Sequence, residues 1–548
     1  MVTQAQFDTT DERDGFTLSL PAICGLTASL AIGLSCFGFF DAARGNAALQ
    51  WSFIGPGVLL LAWTGVLVGR AQRTGRVLGV RVALRPQHYV QALAQGVFLL
   101  YWGWHWRPVY DSAFLIASQL VFAYAFDMLL CWSRRDTYTL GFGPVPVIFS
   151  INLFLWFADD WFYLQFLLVA VGFAVKELIR WEKAGRQVHI FNPSSFPLAI
   201  VSLALILTGT SDVTWGQDIA TTQFFPPHVY LALFLVGLPG QYLFGVTLMT
   251  MSAVAVTYLF GLLYFAATGV YFFYDSYIPV AVFLGMHLLF TDPSTAPRTE
   301  MGRILFGALY GLSTVALYAI LTRAGVPPFY DKLLQVPVLN LSIQWLDRFA
   351  SGRWLRVVDP APGRSLTPRQ RNLAYMTLWA VLFAVMTTTN TVGDHHPGQW
   401  VPFWQGACAD ERPSACSYLA DMHLRSCRTG SGWACNEAGT LEAVVSPTGE
   451  VRRWLELTDA ADVLERGCAL GFEAACRNLG LLRVGRGPAE HPPPTLDDYP
   501  ILLRGTKGPV VDRSAEALFA RACRQGWADT CGRSENGALG SDDSRDFD

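Results

Sequence analysis

Between residues 17 and 390 the sequence alternates long apolar runs with short polar breaks, and that rhythm predicts its elements. A helix needs about 20 mostly apolar residues to cross the hydrocarbon core of a bilayer. The longest runs are "FTLSLPAICGLTASLAIGLSCFGFF", "FIGPGVLLLAWTGVLVG", "SAFLIASQLVFAYAFDMLLCW", "VTLMTMSAVAVTYLFGLLYFAATG" and "ILFGALYGLSTVALYAIL". Others are shorter or are interrupted by Gly and Pro, among them "YVQALAQGVFLLYWGW", "GPVPVIFSINLFLWF", "WFYLQFLLVAVGFAVKEL", "SSFPLAIVSLALILTG", "VYLALFLVGLPGQYLFG" and "YIPVAVFLGMHLLF". Two weaker runs, "FYDKLLQVPVLNLSIQWLDRFA" and "NLAYMTLWAVLFAVMTTTN", bring the count to roughly thirteen. The fold class that follows is all-α, a polytopic transmembrane helical domain and then a polar tail.

Composition strengthens this reading. Of 548 residues 52% are hydrophobic and 15% charged, with 37 Phe, 18 Trp and 19 Tyr, which is too apolar and aromatic for an average soluble chain. No basic face with interleaved aromatics stands out, so nucleic-acid binding is a poor reading. From Gly393 onward the chain turns polar and holds eight of the eleven cysteines. The expected organisation is a cytoplasmic segment over 1–16, a membrane domain over 17–390, a linker over 391–405, a cysteine-paired region over 406–535 and a flexible tail over 536–548.

The net charge of -3 says little, because the charges are unevenly placed. Basic residues cluster at Arg70–Arg85, at Arg134 and Arg135, from Lys176 to Arg186, at Arg298 and Arg303, and from Arg348 to Arg371. The positive-inside rule is satisfied by putting all of them on the cytoplasmic side. Alternation then places "TSDVTWGQDIATTQFFPPH" and everything after Asn390 outside. Were the last apolar run a buried soluble helix instead, the tail would lie inside.

The tail cysteines test this independently. They fall in four pairs of equal spacing: Cys408 with Cys416, Cys427 with Cys435, Cys468 with Cys476, and Cys523 with Cys531. Eight residues along one helix span about 12 Å, beyond the roughly 4.4–6.8 Å between disulfide Cα atoms, so each pair needs a chain reversal. "CRTGSGWAC", "CALGFEAAC" and "CRQGWADTC" each carry a glycine three residues after the first cysteine, suited to a helix end and a tight turn. Disulfides persist in oxidising compartments, which again puts the tail outside. The competing reading is zinc, disfavoured by a spacing far from C-x2-4-C. "DHHPG", Asp394–Gly398, is a further metal candidate; two adjacent histidines in a linker read more simply as solvated, and no metal site is expected.

"ERGCALGFEAACRNLG", "FARACRQGWADTCG" and "RSCRTGSGWACNEAG" resemble Sel1-like helical repeats of the cysteine-rich extracytoplasmic kind, while "GACADERPSACSYLA" keeps the cysteines without the turn glycine. The resemblance implies two-helix units that stack, bury a shared face and contact an extracytoplasmic protein partner.

Two polar landmarks interrupt the membrane domain. In "KELIRWEKAGRQVHIFNPSSFPLAI", Asn192 suits a helix start and Pro193 its first position, with Ser194 and Ser195 extending the cap. In "TDPSTAPRTEMGRILFGALYG", Asp292 and Pro293 repeat the device, Thr295, Thr299, Arg298 and Arg303 add donors, and Gly302, Gly307 and Gly311 allow close helix approach. Capped or interrupted helices at matching places in two related halves point to a site at the interface of internal repeats.

These two stretches, with "YDKLLQVPVLNLSIQWLDRF" and its Asn340 and Asp347, resemble the family that contains the B subunit of the sodium-translocating NADH:quinone oxidoreductase and the D subunit of the Rnf electron-transport complex. The resemblance covers about residues 75–350. It implies an integral subunit of a bacterial cytoplasmic (inner) membrane, in contact with lipid and other subunits, holding flavin or quinone in an ion-coupled electron path. The helix starts make Asn192, Ser194, Asp292, Thr295 and Arg298 the expected lining for noncovalent FMN, riboflavin or quinone. The family attaches one FMN to the threonine of a Ser-Gly-Ala-Thr sequence. Here "SDVTWGQDIATTQFFPP" offers Thr221 without the Ser-Gly, which argues against covalent FMN.

No C-x-x-C-H haem motif or G-x-G-x-x-G opening a βαβ unit occurs, so NADH chemistry would belong to a partner. Cys24, Cys36 and Cys131 are too scattered for an iron–sulfur cluster. Two other functions fit the same residues. A transporter or channel that has lost its redox groups would use buried polar groups such as Asp127, Asn152 and Glu177, although Glu177, near a helix end, reads as solvent-facing. A membrane-anchored scaffold would present the repeat region to its partner.

Overall fold

The computed structural model describes residues 11–12, 16–183, 185–352, 355, 366–399, 401–412, 414–428, 430–441, 457–472, 475–476 and 478–480. The Cys523–Cys531 pair lies outside these residues. The chain divides into two compact units. The first comprises residues 1–224, 229–257 and 280–384, and the second 225–228, 258–279 and 385–548.

Each apolar run becomes a helix: α1 Leu20–Cys36, α2 Ala47–Thr74, α3 Pro86–His105, α4 Ala113–Arg134, α5 Pro144–Asn152, α6 Tyr163–Leu178, α7 Ser195–Thr208, α8 Val229–Phe244, α9 Thr247–Thr268, α10 Val280–Leu284, α11 Glu300–Arg323, α12 Val336–Ala350 and α13 Pro368–Thr388. Among the described residues five segments are long and apolar enough to cross a membrane: Leu20–Phe39, α2, α4, α9 and α11. Local chemistry sets several boundaries. The Asn46 side chain accepts the Leu49 N–H at the start of α2, and Gly209, at φ 67°, ends α7 in the left-handed conformation a side chain resists.

Four of the shorter runs are broken, and in a recurring way. The nine residues of α5 span about 13 Å, less than half the hydrocarbon core; Leu153–Phe157 continue without a helix, all of them buried. Helix α10 passes into a π turn, Gly285–Leu289, and then into irregular chain up to Thr299. Conversely, α7 follows buried non-helical residues 191–194, and α12 follows a 3₁₀ turn, Pro328–Lys332, whose last four residues are buried. Irregular backbone at membrane depth survives only where protein satisfies its polar groups, so these four places are where side-chain hydrogen bonds must be sought.

The unit is not purely helical. Gly79–Leu84 pairs antiparallel with Asp11–Glu12 and Phe16–Thr17 and parallel with Thr137–Leu140. Arg180–Lys183 and Arg186–His189 form a hairpin with Arg180 opposite His189. The hairpin lies in the charged stretch between α6 and α7, where apolar periodicity carries no signal. Close helix contact does occur at the expected glycines. A Cβ on Gly307 would meet the Met249 carbonyl and the Ser252 hydroxyl, and one on Gly311 the Thr257 hydroxyl and the Ala253 carbonyl.

In the second unit α14 Val401–Ala409, α15 Ala415–Arg428, α16 Gly432–Thr440 and α17 Leu457–Ala469 follow one another. Disulfides join Cys408 to Cys416, Cys427 to Cys435 and Cys468 to Cys476, each with Cα atoms 4.6 Å apart. The reversals occur at the residue three places after the first cysteine. Gly430 and Gly471 adopt φ of 102° and 83° there, and Glu411, in the pair that lacks glycine, adopts 55°. Successive helices share a buried face: Gly432 abuts Phe472, Gly439 abuts Leu464, and the Asn478 amide donates to Asn436 at 2.7 Å. The end of α9 and the loop after it belong to this unit, with Tyr274 stacked on Tyr418 and Arg412 donating to the Gly269 carbonyl. His396 is fully buried against Tyr271 and Tyr277 and accepts the Gly398 N–H. The solvated reading of "DHHPG" is therefore corrected: aromatic packing takes His396 out of water.

Candidate functional site

The two polar landmarks, 100 residues apart in sequence, meet. Asn192 is the junction. Its Oδ1 accepts the Ser194 N–H at 2.9 Å, the Ser195 N–H at 3.1 Å and the Ser194 hydroxyl at 2.7 Å. Its Nδ2 donates to the Leu289 carbonyl at 3.0 Å, at the end of the π turn. Its backbone N–H donates to Asn340 Oδ1 at 3.2 Å, and Asn340 Nδ2 reaches the Thr295 carbonyl at 3.5 Å. One amide thus caps α7 and satisfies the carbonyl left open where α10 ends, while α12 supplies the second amide.

Asp292 lies beside this junction. Its Oδ1 accepts the Ser294 N–H at 2.9 Å and its Oδ2 is 3.1 Å from His189 Nε2, which the hairpin delivers. Asp292 caps a single 3₁₀ turn, Pro293–Thr295, and not the long helix expected to start at Pro293. That helix begins at Glu300, where Thr299 accepts the Gly302 N–H. The intervening backbone is held from α12: Asp347 accepts the N–H groups of Arg298 and Thr299, each at 3.0 Å, and the Thr299 hydroxyl at 2.9 Å. Arg303 in turn holds the Pro297 and Gly245 carbonyls.

Asn192, Ser194, Asp292 and Thr295 are therefore brought together, whereas the Arg298 backbone N–H is bound by Asp347 of α12. Thr221 belongs elsewhere: it lies in a short helix, Gly216–Thr222, with its hydroxyl on the Gln217 carbonyl. The transport candidates separate too. Asn152 exchanges hydrogen bonds with Gln119, at 3.1 and 2.9 Å, and Gln165 adds to the pair at 3.3 Å. These amides end α5 and support the bare chain after it, with the Phe157 N–H on Gln165. Glu177 is buried between Arg135, at 2.8 Å, and Arg180, at 2.6 Å, which corrects its solvent-facing reading. Asp127 is buried with the Cys131 thiol 4.0 Å away.

Sequence reasoning missed Gln119, Gln165 and the buried pair Asp331–Lys332. Glutamine inside an apolar run was the available signal for the first two. Among the described residues no group of three or more His, Cys, Asp and Glu is arranged to hold a metal ion. No family model, curated protein or solved structure matches the chain.

Proposed function

We propose that this protein is an integral membrane subunit of an ion-coupled electron-transport system, with a noncovalent flavin or quinone held at the junction of its interrupted spans. The observation that carries this reading is the bonding of Asn192, ahead of α7, to Leu289, past α10, and to Asn340 in the second turn of α12, which also reaches the Thr295 carbonyl. Broken helices that converge expose backbone dipoles and polar caps to a common point, the arrangement that serves ligand and ion sites in membranes. The resemblance of the same two stretches to subunits of flavin-containing electron-transport complexes supports a redox role for the site.

The order of elements supports two related halves of opposite orientation. From α3 to α7 the chain makes two long helices, a helix followed by extended chain (α5), a third long helix, and extended chain followed by a helix (α7). From α8 to α12 it repeats that order, with α10 and α12 as the broken members. An odd number of spans per half inverts the second relative to the first. In this scheme the Asn192 and Asp292 starts are not counterparts: one belongs to the fifth span of the first half, the other to the third span of the second. We place the protein in a bacterial inner membrane, beside further subunits, with the repeat-like region in contact with an extracytoplasmic partner.

Absorbance and fluorescence of the purified protein test the reading. Flavin, or quinone recovered by solvent extraction, at near-stoichiometric amount and lost in Asn192→Leu, is the expected result. A wild-type protein free of both, with no quinone-dependent reduction in membranes, would sink it and leave solute transport, tested as flux into proteoliposomes.

A further inference from the structure

A costly buried charge in the first unit lies in the turn ahead of α12. Lys332 and Asp331 end the 3₁₀ turn ahead of α12, with side chains 5% and 3% exposed. The Lys332 ammonium donates to the Phe329 carbonyl at 2.6 Å and to Asp331 Oδ1 at 3.1 Å. Burying a strongly hydrated ammonium is costly before its attraction to a carboxylate offsets the loss. Buried ion pairs elsewhere in this unit join separate elements, as Glu177 of α6 pairs with Arg135, the residue just past α4. A pair between consecutive residues ties no two elements together, so tertiary cross-linking does not explain it.

Its surroundings give a different explanation. Phe329, whose carbonyl holds the ammonium, also lines a partly open cavity of about 630 Å³. The lining includes Ser211, Asp212, Thr214, Gln217 and Asp218; among the described residues it has two carboxylates and no cationic side chain. The Tyr330 hydroxyl bonds Ser211 at the same edge, and three residues past Lys332 the buried Gln335 Oε1 has no hydrogen-bond partner. An acidic vestibule thus adjoins a turn where a carboxylate and a carbonyl converge on one positive charge.

We propose that Asp331 and the Phe329 carbonyl form a seat for a monovalent cation behind the Phe329 wall of this cavity, occupied in the native chain by the tethered ammonium of Lys332. Ammonium and potassium are close in size and share a preference for oxygen ligands, so removing the tether opens the seat to a free alkali cation or a primary alkylammonium. The proposal stands independently of the electron-transport reading.

The experiment compares wild type, Lys332→Met, Lys332→Ala and the double variant Asp331→Asn with Lys332→Met, purified in detergent. Unfolding midpoints are measured in potassium, sodium or choline chloride at equal ionic strength. Lys332→Met is expected to unfold early in choline and to recover by about 2 °C or more in potassium or sodium, while wild type and the double variant do not shift. Ethylammonium, and not tetramethylammonium, should restore Lys332→Ala. Recovery of folded Lys332→Met only in alkali salt also supports the seat. Equal midpoints in all salts, restoration by acid alone, or a Lys332→Met that folds in no salt while the double variant folds in all, would each overturn it.

Discussion

The two units solve one problem, holding short helices in place, by different chemistry. In the first, side-chain amides bind the ends of broken helices: Asn192 bonds the start of α7 and the end of the π turn, and Asn152 with Gln119 and Gln165 supports the end of α5. In the second, covalent staples close each helix pair, and a residue at positive φ makes the turn. Lipid offers no competing hydrogen bonds, so an amide there is worth its full partnership. Water competes outside, and a disulfide acts by restricting the unfolded chain, independently of competing water.

The sharpest break of this comparison is Asn192→Leu. It strands the Ser194 and Ser195 N–H groups and the Leu289 carbonyl, at about 1–3 kcal/mol for each buried group left unpaired, so a loss of about 3 kcal/mol or more is expected. Thermal unfolding in detergent should show it, with the second unit's protease resistance unchanged. Next in size is replacing Cys427 and Cys435 with alanine. A loop this short gives about 2–3 kcal/mol, and here protease resistance of the second unit should fall while that of α3–α12 persists. A reductant titration reads the same effect without mutation.

A comparable loss should come from acid. His423, buried beside Trp433, has its pKa lowered from 6.5 to about 4 because burial disfavours the charged ring. The folded state favours the neutral form, so this contribution is complete above the unfolded pKa and is lost as pH falls through 6.5 toward 4. At pH 5 the second unit should be about 2 kcal/mol less stable than at pH 7.5. His423→Phe should flatten that dependence. The smallest change should be a gain: Glu411→Gly relieves a side chain held at φ 55° and is expected to add about 1 kcal/mol. No change in unfolding would mean that the first disulfide already absorbs the strain.

These features were unequally legible in the sequence. Apolar runs marked every helix from α1 to α13, because burial and lipid contact act on each run locally. Equal cysteine spacing with a turn glycine gave the local pairing for the same reason. The helix interruptions after Asn152 and Leu289 were not legible, since "FSINLFLWF" and "GMHLLF" stay apolar through the break. What ends these helices is a set of partners distant in the chain, Gln119 and Gln165 for one and Asn192 for the other. The sequence marks Asp292 as a cap but implies a longer helix after it, because the grip of Asp347 on residues 298 and 299 leaves no local trace. Asp331 and Lys332 carry no sequence signal of burial, because adjacent opposite charges usually lie in water.

The amide at the junction carries one more consequence. Asn192 must donate and accept at once, which a carboxylate cannot do, so spontaneous conversion of asparagine to aspartate would disable it in every ageing copy. That conversion begins when the next residue's backbone nitrogen attacks the side-chain carbonyl and loses its proton. The next residue is Pro193, whose ring nitrogen carries no hydrogen. The proline that prepares the turn into α7 thus also protects its neighbour chemically, over the lifetime of the protein.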